Sequence, residues 1–232
     1  MKNRVKDIVE KFKILWDDFF IRSVVLLAAS IFADIALIIY NCISLSHNSA
    51  SATWYTGQIC FYSLLFAARA TLLIFFAKNK HKNEEKVYVA AAICTIGFLV
   101  LLGIEMILLA NLIYKNNIPL AGTNIIILIN GSYIIAKMIT SLTGGVRYRG
   151  TLQRKTTLFC CKKYLSRAEG LFLFYVLYGK LIELYQWKND YDLILSNYMA
   201  GILVGAYTIF LGGLLLYKVI RSLKYCTGDI KD

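Results

Sequence analysis

An all-α bundle of six membrane-crossing helices, with both termini on the cytoplasmic side, is the fold class this sequence predicts. Three observations lead there. Of the 232 residues, 58% are hydrophobic and 17% charged, against about 45–50% apolar and about 25% charged in soluble domains. The apolar residues gather into six long runs, and a hydrocarbon core of ~30 Å needs about 20 such residues per helical crossing. The basic residues are sorted by loop rather than spread along the chain. Strands do not fit, because the runs are long and lack the alternation over about ten residues that a membrane barrel strand shows.

The N-terminal stretch VKDIVEKFKILWDDFF places Val5, Ile8, Val9, Phe12, Leu15, Trp16 and Phe19 at helical spacing, with Lys6, Asp7, Glu10, Lys11, Lys13, Asp17 and Asp18 between them. Residues 1–20 therefore predict an amphipathic helix, either lying on the inner leaflet or extending the first span into the cytoplasm. A single transmembrane domain follows over residues 21–223. Its first span is Val24–Leu45. A long charged segment precedes that span and its apolar run is longer than a signal's short core, so it does not read as a cleaved signal.

Span two is Trp54–Ala77, span three Val87–Tyr114 and span four Thr123–Leu142. The segment TGGVRYRGTLQRKTTLFCCKKYLSR then predicts a basic cytoplasmic loop over 143–167, with Gly144, Gly145 and Gly150 opposing helix near its start. Span five, Ala168–Tyr185, is the shortest and holds Lys180 and Glu183. Span six is Leu193–Tyr217, and residues 224–232 form a cytoplasmic tail.

Threading follows from charge. Of the 26 Lys and Arg residues, 21 fall in the N-terminal segment, the loops after spans two and four, and the C-terminal tail. The opposite side holds only Lys115 and Lys188 outside the spans. Short basic segments resist translocation, which puts the 21 in the cytoplasm. The net charge of +12 is thus explained by threading and by attraction to anionic lipid headgroups, with no call for nucleic acid. Trp54, Tyr55, Tyr114, Tyr185 and Trp187 fall near outer span ends, and Tyr217 and Tyr225 near an inner one, as aromatic belts at the interfaces would.

Charged residues inside a span are costly and turn toward the bundle interior. Asp34 lies ten residues above the inner end of span one and Arg69 eight above that of span two, or roughly 15 Å and 12 Å at the helical rise. A short outer loop makes these spans neighbours, so Asp34 and Arg69 are expected to pair. Glu105 and Lys137 are the residues of a candidate polar cavity. Lys137 is near enough to the inner end of span four to snorkel to the headgroups. Glu105 has no basic residue at its own depth, so it reaches Lys180, holds a proton or lines a cavity. In span six, Gly201, Gly205, Thr208 and Gly212 share one helix face. Small residues let backbones approach closely in lipid, either within the bundle or in a homo-oligomer.

Catalytic signatures are missing: there is no Gly-x-Ser-x-Gly, His-Glu-x-x-His or phosphate loop. The six cysteines form no C-x-x-C pair and the only histidines are His47 and His81, so neither a metal site nor a cofactor is expected.

The stretch WYTGQICFYSLLFAARATLL resembles a segment of a widespread, uncharacterised family of small bacterial membrane proteins. The resemblance rests on Trp54, Tyr55, Tyr62, Arg69 and Leu72, with Lys137 in span four and a basic loop before span five. It covers most of the chain beyond Trp54, and it implies six spans in a bacterial plasma membrane but no activity. The expected role is a non-enzymatic accessory or structural membrane component that docks a membrane-protein partner or a second copy. The alternative is a small-solute or ion transporter whose path is lined by Asp34, Arg69 and Glu105.

Overall fold

A computed structural model describes residues 19–47, 52–79, 85–116, 132, 135–136, 155–184 and 191–226. The described residues form five long α-helices and no strand: α1 (Phe19–His47), α2 (Ala52–Asn79), α3 (Glu85–Asn116), α4 (Lys155–Leu184) and α5 (Tyr191–Cys226). Four of them contain stretches long and apolar enough to cross a membrane, at Ser23–His47, Ala52–Ala77, Val87–Asn116 and Ile194–Arg221. The predicted N-terminal amphipathic helix and nearly all of span four lie outside the described residues.

Helix α1 shows most plainly what kind of solvent the fold expects. Among its described side chains only Ser23, Leu27, Asp34 and Asn41 are buried, and three of those four are polar. Its exposed face carries Phe32, Ile39 and Ile43, each more than half exposed. A soluble helix has the reverse arrangement, with an apolar stripe inward. The inversion suits a helix whose outer face meets lipid and whose inner face meets protein. Buried Asn41 donates through Nδ2 to the carbonyl of Leu37 at 2.8 Å, so part of its polar demand is met within its own helix.

The most extensive contact in the bundle is between α3 and α5. These helices run antiparallel, with Gly103 against Gly205, Ala110 against Gly201 and Leu99 near Gly212. Helix α4 packs on α2, α3 and α5, whereas α1 packs chiefly on α2. The described helices therefore form a four-helix body with α1 against one side.

Three expectations need correction. The basic loop expected over 143–167 is helical from Lys155 onward and runs without a break into span five. No breaker stands between Lys155 and Arg167, and Leu158, Cys161, Tyr164, Leu165 and Ala168 are buried at three- and four-residue spacing. This helix is not among the four with a crossing-length apolar stretch, because its charges fall at both ends and in the middle. Helix α5 reaches Cys226, so the first residues of the expected tail are also helical. Trp54 and Tyr55 are buried at 2% and 6% exposure, so they pack inside the bundle rather than face a membrane interface. Tyr217, 61% exposed, remains placed as a belt residue would be.

Candidate functional site

The seam between α2 and α4 is built of aromatic rungs. Trp54 meets Tyr175 edge-on, with ring centroids 6.3 Å apart. One level along, Phe61 stacks on Phe172 at 3.7 Å and Tyr62 meets the same ring edge-on. Beyond the middle of the seam, Phe76 and Phe159 approach at 5.6 Å. Residues 54, 61, 69 and 76 recur every seven or eight positions, so they share one face of α2. Arg69 occupies the rung between the Phe61 and Phe76 layers.

Arg69 there joins three helices. Its Nη1 donates to Asp34 Oδ1 of α1, and its Nη2 donates to Glu169 Oε2 of α4. Nη1 also reaches the carbonyl oxygen of Ser30 at 3.3 Å. Arg69 is 2% exposed and both acids are 0% exposed. A guanidinium offers five donors in a flat, rigid fork, so one arginine can serve acids on two sides. Charge-assisted bonds of this kind are about twice as strong as neutral ones. With both acids ionised the group carries one net negative charge, and a proton on either acid makes it neutral. The aromatic layers on both sides leave the clamp shielded from solvent.

Asp34 and Arg69, expected to meet by depth, are thus brought together. Glu169 was not anticipated. Starting span five at Ala168 placed Glu169 at the membrane edge, where an acid attracts no notice. Because α4 begins at Lys155, Glu169 instead sits near mid-helix, about 21 Å from its start. The unbroken segment Lys155–Gly170 was the available signal.

A second polar group lies where α3, α4 and α5 meet. The Tyr175 ring packs over Gly201, and Asn197 and Glu105 lie in the neighbourhood of its hydroxyl. Glu105 Oε2, Tyr175 Oη and Asn197 Oδ1 are all buried with no hydrogen-bond partner among the described residues. Nearby, Tyr178 of α4 and Ser196 of α5 hydrogen-bond to each other at 2.6 Å. Lys137, expected with Glu105 in a cavity, lies outside the described residues, as do the side chains of Lys180 and Glu183.

The glycines of α5 serve the contact with α3. A Cβ on Gly205 would lie 2.7 Å from the Gly103 carbonyl oxygen, and one on Gly103 would lie 2.6 Å from that of Gly205. A Cβ on Gly201 would lie 2.5 Å from that of Ala110. Gly212 is looser, its nearest neighbour being Leu99 at 3.6 Å. Thr208 on the same face bonds back to Val204 O at 2.8 Å. No group of three or more His, Cys, Asp or Glu that could hold a metal ion occurs among the described residues.

No family model matches this chain, and no curated protein and no solved structure is significantly similar to it. A functional reading therefore rests on its own residues.

Proposed function

We propose that the chain is a non-enzymatic accessory or structural component of a bacterial plasma membrane, threaded six times with both termini in the cytoplasm. The observation that carries this reading is the Arg69 clamp. The deepest basic residue in the described spans spends its charge on two acids in a shielded three-helix junction. A charge used that way joins helices and leaves nothing for a passing solute. The sorting of Lys and Arg by loop supports the threading. The bacterial setting is supported only by the resemblance at Trp54, Tyr55, Tyr62, Arg69 and Leu72.

Transport is the second reading. It is favoured by the three buried oxygens of Glu105, Tyr175 and Asn197, which lack partners among the described residues. Buried polar groups in membranes often mark ion or proton paths.

Thiol accessibility separates the two. In a cysteine-free background, the accessory reading expects Ala68→Cys and Glu105→Cys to resist small water-soluble thiol reagents in intact membranes. Labelling at both positions, lost on adding a solute, would favour transport. Reporter fusions in each connection test the threading, and a basic connection found outside would refute it.

A further inference from the structure

The start of α4 and the end of α5 bring basic residues together over one buried ring. Arg167 lies 5.6 Å from the Tyr164 ring centroid, and the Lys218 ammonium lies 5.3 Å from it. Tyr164 is 2% exposed, while Lys218 is exposed and Lys163 and Arg167 are half-buried. Lys163 and Arg167 are four residues apart, which places them on one face of α4. Burial lowers the proton affinity of Lys163, and the neighbouring charges of Arg167 and then Lys218 lower it further. The three bases therefore crowd one another across two helices. Lys162 points elsewhere, donating to the Ser23 carbonyl oxygen at 3.1 Å. Tyr217, beside Lys218, is 61% exposed, as suits a ring at headgroup level.

We propose that Lys163, Arg167 and Lys218 form a binding site for the phosphate of an acidic phospholipid headgroup, with Tyr164 as its floor. The site rests on the membrane reading above and adds a ligand to it. The chemistry fits a phosphodiester: an arginine fork and two ammonium point charges share one diffuse anion. An anion there relieves the like-charge crowding. Basic pockets between helices on the cytoplasmic side are where such headgroups bind. Tyr164 offers a ring face to the Arg167 and Lys218 cations, which holds them in place when no anion is bound.

The test uses the full chain in detergent, with bound lipid counted by native mass spectrometry. Phosphatidylglycerol and phosphatidylcholine are offered together. The wild type should retain phosphatidylglycerol in preference. Each base near a membrane surface is worth about a fivefold preference for anionic lipid. Lys163→Gln with Lys218→Gln should therefore cut the preference by about 30-fold. Lys163→Arg with Lys218→Arg should keep it, which excludes misfolding as the cause of the loss. In detergent no bilayer surface remains for diffuse attraction, so Lys78→Gln with Lys86→Gln, which removes the same charge outside the pocket, should change the preference by less than about fivefold. An equal fall in that control would mean a diffuse positive face and would overturn the site. So would a wild type without lipid preference, or displacement of the lipid by inorganic phosphate. Extraction of membranes with alkaline carbonate is the separate check on the membrane reading. Release of the chain defeats both ideas, whereas retention without lipid preference defeats only the site.

Discussion

Two seams hold this bundle in opposite ways. Helices α3 and α5 share the most extensive contact, and they close on each other through glycine, with Gly103 and Gly205 carbonyls where a Cβ would otherwise sit. Helix α1 contacts chiefly α2, and 17% of its span is buried, the smallest share among the four apolar spans. It is tied on by charge, through Asp34 to Arg69 and onward to Glu169. In lipid no hydrophobic force drives helices together, so close packing and polar bonds must do it. Where the contact area is large, small residues suffice. Where a helix meets chiefly one neighbour, a buried ion pair makes a directional fastening to it and onward to a third, at a high cost if one partner is removed.

The largest effect should come from Arg69→Met. It leaves Asp34 and Glu169 buried without their shared cation, and removing one partner from a buried pair costs about 3–5 kcal/mol. Unfolding in mixed micelles measures the loss, and a loss below ~1 kcal/mol would make the clamp incidental. Next comes Asp34→Asn, which frees α1 while leaving the Arg69–Glu169 bond, with an expected cost of about 1.5–3 kcal/mol. Glu169→Gln should cost a similar amount but loosen α4. Hydrogen exchange that loosened the same helix in both variants would blur the distinction.

The glycine seam should respond less. Gly205→Ala forces a Cβ against a backbone oxygen and should cost about 1–3 kcal/mol by overpacking. Gly213→Ala has nothing within 4 Å of the added methyl, so it should be neutral or stabilising by up to about 1 kcal/mol. Equal effects at the two glycines would mean that α3 and α5 are not held by close approach. Smallest of all should be Glu105→Gln. It keeps the shape and breaks no ion pair among the described residues, so stability should change by less than about 1 kcal/mol. A loss as large as that of Asp34→Asn would place Glu105 in a second structural pair.

The sequence carried the charge seam only in part. Asp34 and Arg69 could be matched because depth along a helix is a simple count and their short connection forces adjacency. Glu169 escaped because depth is counted from a boundary, and the basic composition of Lys155–Arg167 disguised a continuous helix. The shared face of Gly201, Gly205 and Gly212 was legible from spacing, but its partner helix was not, since periodicity names a face and not what covers it. Trp54 and Tyr55 were misread for a related reason. Aromatic residues at a span end suit a lipid interface and a packed seam equally, and only the neighbours, here Tyr175 on α4, decide between them.

The clamp is tested most directly by a double-mutant cycle on Asp34 and Arg69 with Glu169 left in place. Asp34→Asn, Arg69→Met and the combined variant are unfolded under the same conditions. A shared bond predicts that the double variant loses less than the sum of the single losses, by about 1–3 kcal/mol. Losses that add to within ~0.5 kcal/mol would contradict a shared bond and leave α1 held by packing alone.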